Sequence, residues 1–225
     1  MPRCYLSEVH KRVAPKRERI RPVIDLLAAE HQDAAIALRF RSPLELLVSV
    51  MLSAQTTDVN VNRVTTKLFE KYHRPEDYLA VTQEELEREI FATGFYHQKA
   101  RSLQGTMRVL LEEFDGEVPD RFDDLLRLPG VARKTAGVVL GTAYGLAENI
   151  VVDTHVQRLA MRLGLTRSAD VKNIEQDLMK VIPQGNWIRF SHQVIWHGRR
   201  VCFARKPACG TCTLAPFCPS AGLEG

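Results

Sequence analysis

No stretch of the 225-residue sequence approaches the roughly 20 apolar residues that a membrane-spanning helix requires. The basic start, MPRCYLSEVHKRVAPKRERIRP, has neither the apolar core nor the small-residue cleavage site of an export signal. A chain with this beginning is expected inside the cell, under reducing conditions. Its five cysteines are then expected as thiols or metal ligands, not as disulfides. Apolar–polar alternation and hairpin dipeptides are also missing, which argues against a β-sandwich or barrel. There is no solenoid repeat and no low-complexity tract. What remains, at 45% apolar and 26% charged residues, is an ordinary globular composition, long enough for one good core or two modest ones.

Helical signals run from end to end, so the expected fold class is all-α. Ser42-Pro43-Leu44-Glu45 combines an N-cap, a proline at N1 and a capping-box glutamate ahead of LLVSVML, and Thr82-Gln83-Glu84-Glu85 repeats the box. Further helices are expected near 21–31, 58–72, 96–114, 120–127, 132–145, 154–163, 169–182 and 187–200. Charge collects at the two ends. Met1 to Pro22 holds seven basic residues against Glu8 and Glu18, while Gly185 to Ser220 holds Arg189, Arg199, Arg200, Arg205 and Lys206 with no acid. If the ends meet in space they form a basic surface suited to a polyanion such as nucleic acid. The economical architecture is a central helical domain over 36–148 and a second domain in which 1–35 packs with 149–225.

Four of the cysteines, Cys202, Cys209, Cys212 and Cys218, form C-x6-C-x2-C-x5-C, with Cys4 isolated near the start. Structural zinc usually joins two close pairs, whereas compact unequal loops can wrap four thiolates around a 4Fe-4S cube. The spacing favours iron–sulfur and leaves zinc as the alternative. Between the first two ligands, Phe203-Ala204-Arg205-Lys206-Pro207-Ala208 would present Arg205 and Lys206 to phosphate from a loop closed at both ends. Without any such contact, the metal would still hold together a segment too short for its own core.

The stretch LPGVARKTAGVVLGTAYG, Leu128 to Gly145, reads as a turn feeding a small-residue helix with Arg133 and Lys134 at its start. Cations are disfavoured there by a few tenths to about 1 kcal/mol, because the helix dipole is positive at that end. Ala136, Val139, Leu140 and Ala143 form the core stripe, and Lys134 points roughly the other way, over Val138, Gly141 and Gly145. With a helical pattern over 120–128 before it, this is a helix-hairpin-helix. The backbone N–H groups of Gly130, Val131 and Ala132 are placed to grip one phosphate without reading a base. Asp153, at the end of the apolar run Ile150-Val151-Val152, reads first as the N-cap of the next helix. Beside a partly desolvated Lys134 whose neutral form the local positive field favours, it also reads as a carboxylate able to stabilise an oxocarbenium-like sugar.

LPGVARKTA, then VDTH, then the four-cysteine pattern together resemble the endonuclease III family. MLSAQTTDVNVN, TGFYHQKA, GEVP and HGRRVCFARKPACGTC extend the resemblance over approximately residues 36–218. It implies a helix-hairpin-helix DNA glycosylase fold: a central six-helix domain carrying the hairpin at about 120–145, and a terminal domain carrying one 4Fe-4S cluster in 202–218. The implied enzyme is a base-excision DNA glycosylase and abasic-site lyase acting on oxidised pyrimidines in double-stranded DNA. By resemblance, Lys134 attacks C1′ and forms a Schiff base that drives β-elimination, Asp153 assists it, and His155 stands at the edge of the site. A flipped base leaves a gap, which the resemblance assigns to Gln55, with Phe95 wedged into the opposite strand. A monomer is expected, free of any membrane, in the cytoplasm or at the nucleoid.

The sequence departs from the family pattern at Ala132, where glycine is common, and at Phe95, where leucine is usual. Gly137 and Gly141 stand where larger polar residues are frequent. Two rival readings are an adenine mismatch glycosylase relative, opposed by Lys134 and the short C-terminus, and a non-catalytic helix-hairpin-helix DNA-binding protein.

Overall fold

The computed structural model describes residues 13–222, and Cys4 with the first part of the basic start lies outside them. Among the described residues, regular structure is entirely helical. The helices are α1 (Lys16–Glu30), α2 (Pro43–Leu52), α3 (Asp58–Leu68), α4 (Pro75–Leu79), α5 (Gln83–Ile90), α6 (Tyr96–Glu113), α7 (Phe122–Leu125), α8 (Arg133–Ala143), α9 (Thr154–Arg162), α10 (Val171–Met179) and α11 (Trp187–Arg200). The chain divides into two compact units, cut between Ala35 and Ile36 and between Glu148 and Asn149.

In the unit Ile36–Glu148, local chemistry sets the helix starts. Ser42 Oγ accepts from the Glu45 N–H at 3.2 Å, and the Glu45 carboxylate reaches back to the Arg41 N–H at 2.6 Å. Thr82 Oγ1 accepts from the Glu85 N–H at 3.2 Å. Every residue from Glu45 to Leu52 is buried, so α2 is the central helix and needs no polar face. It packs on α3, α6 and α8, and α6 in turn carries α4 and α5. α4 is the helix that periodicity does not announce, yet Pro75 followed by two acids is a start signal. Asp77 accepts from the His73 and Arg74 N–H groups at 2.7 and 2.9 Å, and these bonds hold its carboxyl below the usual carboxylate range. Because α7 is a single turn of four residues, this unit has six helices of five residues or more.

α8 ends two residues short of the expected Gly145. That glycine has φ +68°, no side-chain neighbour within 4 Å of where a Cβ would lie, and a following N–H, Leu146, bonded to Leu140 O at 3.3 Å. Gly145 is therefore the left-handed terminator of the helix, not a close-packing glycine. Gly137 and Gly141 do lie in the buried part of α8.

In the terminal unit, α11 packs on α1 and α9, and α9 packs on α10. Val23, Leu27, Val156, Leu159, Ile174 and Phe190 lie in its core. α1 begins at Lys16, earlier than expected, and contains Pro22. The helix runs through the proline because Arg19, Ile20, Val23 and Ile24 are all buried on one face. Arg19 does not feed a basic surface. It is 4% exposed and donates to Ala14 O, Phe217 O and Gly164 O at 3.0, 2.8 and 3.4 Å. Arg200 is engaged as well, at the surface, in a two-bond pair with Asp33 at 2.8 and 2.7 Å. The concentration of positive charge at the chain ends thus overstates the cations left for a partner.

Candidate active site and metal centre

The turn between α7 and α8 requires glycine. Gly130 has φ +79°, and a Cβ there would lie 2.7 Å from Ser102 Cβ on α6. Val131 is buried and its N–H closes the turn onto Leu128 O at 3.0 Å, so of the three residues expected to offer donors it holds the turn instead. Gly130 and Ala132 are exposed. Ala132 adopts φ −93° and ψ 168°, an extended conformation open to any residue, so alanine in place of glycine brings no strain. No side chain caps α8. Its first turn therefore presents N–H groups that no side-chain cap covers, at the positive end of the helix, an arrangement that attracts anions.

Lys134 is the second residue of α8 and is exposed, not desolvated, with no hydrogen-bond or ion-pair partner in its own unit. Arg133 behaves differently, its guanidinium lying 4.9 Å from the centroid of the buried Phe122 ring. The two adjacent cations are thus separated, one held over the core and one directed to solvent.

Gln55 and Phe95 share an unusual backbone. Both are exposed, with φ of 57° and 50°, the left-handed region that costs a residue with a Cβ about 1–2 kcal/mol. Phe95 is 63% exposed, so it is not a core aromatic. Lys206 and Asp115, with φ of 52° and 51°, are the other such residues among those described. Strained backbone of this kind concentrates where a ligand is met. Phe91, 60% exposed and stacked at a tilt on Tyr96 with centroids 4.8 Å apart, widens the apolar edge beside Phe95, and no motif or periodicity marks it.

In the terminal unit, Asp153 is the N-cap of α9. Its Oδ1 accepts from the His155 and Val156 N–H groups at 2.9 and 2.8 Å, which fixes the carboxylate and leaves Oδ2 without a hydrogen bond inside the unit. The His155 ring packs on the Gly198 backbone, where a Cβ would come within 2.7 Å of Nδ1, and meets Arg158 Nη2 at 3.1 Å. Burial holds its imidazole below the usual histidine range.

Cys202, Cys209, Cys212 and Cys218 are all free thiols and line one cavity. The donor set suits sulfur that carries negative charge: Arg162 Nη1 lies 3.2 Å from Cys202 Sγ, and His197 Nε2 lies 3.3 Å from Cys212 Sγ. Burial pushes the Cys212 thiol up to about 11 and raises Cys218 as well. Four half-buried thiols facing each other are unfavourable as bare thiolates, so the site fits a group that deprotonates and neutralises them. Arg162, 4% exposed, also donates to Phe203 O and Ala204 O at 2.6 and 3.0 Å, and so braces the loop that leaves Arg205 and Lys206 exposed. Neither buried partner was identifiable from sequence, since nothing in the spacing of Arg162 or His197 marks them. Among the described residues, no helix is long and apolar enough to cross a membrane.

Residues 48–184 match the family described as HhH-GPD superfamily base excision DNA repair protein, and residues 202–218 match the iron-sulfur binding domain of endonuclease III. The chain is 48% identical to endonuclease III of Synechocystis over 96% of its own length and 99% of the relative. It is 44% identical to that of Escherichia coli K12 over 80% of its length and 85% of the relative. A solved structure of a trapped endonuclease III–DNA covalent intermediate superimposes with a TM-score of 0.87 at 45% identity, covering 92% of this chain and 98% of that one. The C-terminal cysteine segment accordingly carries an iron–sulfur cluster. The chain belongs to the endonuclease III family, as a DNA-binding N-glycosylase and abasic-site lyase of base-excision repair.

Proposed function

We propose that this enzyme excises oxidised pyrimidines of the thymine glycol type from double-stranded DNA, with Lys134 as the nucleophile. The Lys134 Nζ lone pair forms a bond to C1′ as the N-glycosidic bond breaks, and the base leaves with that electron pair and takes up a proton. Ring opening gives the Schiff base. Loss of a C2′ proton then expels the 3′ phosphate oxygen with its bonding pair, cutting the strand 3′ to the site, and water hydrolyses the imine to return the amine. Asp153 stabilises positive charge developing at the sugar and accepts the proton lost by the attacking ammonium. The observation that carries this reading is the exposed Lys134 on an uncapped first turn, in a chain 45% identical to a protein trapped in covalent linkage with DNA.

Around that chemistry, Gly130 and Ala132 offer backbone N–H groups to one phosphate, Gln55 fills the space left by the flipped base, and Phe95 wedges into the opposite strand. Arg205 and Lys206 meet the backbone from the braced loop. The four cysteines hold one 4Fe-4S cluster, whose contribution is to fix that loop, and the enzyme works as a monomer. Borohydride trapping on a duplex with one thymine glycol, followed by mass spectrometry of the adduct, tests nucleophile and substrate together. The expected result is an adduct on Lys134; an adduct only with a pre-formed abasic site would keep the lyase and remove thymine glycol from the substrate class.

Asp153 allows a clean separation of cap from catalysis. Asparagine caps helices about as well as aspartate but carries no charge. Asp153→Asn is therefore expected to keep the melting temperature, yet slow single-turnover base excision by about 10²–10³-fold, the usual loss on removing an electrostatic stabiliser. A parallel loss of stability would reduce Asp153 to its capping role.

A further inference from the structure

Lys99, the fourth residue of α6, is 7% exposed, and no carboxylate lies near enough to offset its burial. A buried cation with no anionic partner is costly and is kept only where its donors are needed. Its Nζ donates to two backbone carbonyls, Leu52 O and Thr93 O, each at 2.8 Å. Leu52 closes α2 three residues before Gln55, and Thr93 closes a short 3-10 turn two residues before Phe95. The lysine thus bridges the two segments that end in left-handed backbone.

A second bridge joins the same segments on the outer side. Asn60 Nδ2, from the first turn of α3, donates to Thr56 Oγ1 at 3.0 Å and to Ala92 O at 2.6 Å. Thr56 follows Gln55, and Ala92 lies in the 3-10 turn before Phe95. Each of two polar side chains spans from one loop to the other, with Gln55 between the two points held on its segment and Phe95 just after the two held on the other.

We propose that Lys99 and Asn60 are positioning residues that lash the Gln55 and Phe95 turns into one rigid element, so that gap filling and wedging occur as a single insertion. The inference rests on the reading of Gln55 and Phe95 given above. Two independently mobile loops would each lose conformational freedom on entering the duplex, whereas a pre-assembled pair loses it once, during folding. The strained φ at each tip is anchored by fixed neighbours, the Leu52 carbonyl and the Thr56 hydroxyl around Gln55 and the Ala92 and Thr93 carbonyls ahead of Phe95.

Double-mutant cycles on the full-length, cluster-loaded enzyme test this, with single-turnover excision of one damaged pyrimidine from a duplex as the readout. Gln55→Ala and Phe95→Ala are each expected to slow excision about tenfold in the parent enzyme, but only about twofold when Lys99→Met is already present, a coupling within the range of directly linked residues. A merely structural lysine would lower all rates by a constant factor and leave the two ratios near tenfold, which would overturn the proposal. If Lys99→Met does not fold, the same cycle on Asn60→Ala, which removes a half-buried amide from the edge of α3, decides it by the same ratios. Should Gln55→Ala and Phe95→Ala both be silent in the parent enzyme, the assignment of gap filler and wedge fails, and the inference fails with it.

Discussion

Lys134→Gln is expected to abolish the borohydride adduct and to slow strand cleavage by about 10³-fold or more, the scale of losing a covalent nucleophile. Duplex affinity should change little, because the proposed phosphate grip uses the backbone N–H groups of Gly130 and Ala132, and glutamine retains the length and polarity of the side chain. Stability should not fall. Lys134 is exposed without a partner in its unit, and a cation in the first turn of α8 opposes the helix dipole. Removing it is expected to stabilise the helix by a few tenths of a kcal/mol, so the melting temperature should hold or rise slightly. An inactive variant that is at least as stable as the parent identifies a residue kept for chemistry. Cleavage at the parental rate would remove Lys134 from the reaction.

Replacing one cluster ligand is expected to act in the opposite sense, through the fold. Cys212→Ala should eliminate the visible absorption and the bound iron, and should destabilise the terminal unit by several kcal/mol, since metal binding in such segments is folding free energy. The segment has little else to hold it. Leu214 and Pro219 are its buried apolar residues, and its carbonyls at Phe203, Ala204 and Phe217 are satisfied by Arg162 and Arg19. Both arginines are 4% exposed. If the segment detaches, Arg162 loses Phe203 O and Ala204 O and Arg19 loses Phe217 O, and each must either stay buried without those acceptors or draw the surrounding helices apart. Thermal melts with iron content followed in parallel measure this. A cluster-free variant with the parental melting temperature would show that packing alone holds the segment.

The basic residues of this chain divide into two groups that composition cannot separate. Arg19, Arg158 and Arg162 bind carbonyl oxygens inside the terminal unit, with Arg158 donating to Gly198 O and Cys202 O at 3.0 Å each. Arg205 and Lys206 remain exposed on the loop those bonds brace. A salt titration of DNA affinity reports only the second group, since internal arginines release no counterions.

The readings that came directly from sequence are those whose physics is local. Caps act over three residues, which is why Ser42, Thr82 and Asp153 mark helix starts in the chain as written. The unequal cysteine spacing pointed to one shared group because ligands so close in the chain meet in almost any fold. The hairpin around Gly130 follows from a single left-handed turn. The end of α8 at Gly145 is not legible in the chain, because a glycine that packs and a glycine that ends a helix look alike until the next N–H is seen to turn back. Other features depended on residues remote in the chain. Lys99 reaches Leu52 across 47 positions, and Arg19 reaches Phe217 across 198. A buried donor takes whichever unsatisfied carbonyl the packing brings near it, and no periodicity or motif encodes that choice. Sequence alone determined the helices other than α4, the cluster segment and the nucleophile to test; the tertiary structure decided which cations stay available to DNA and what holds the two strained turns in place.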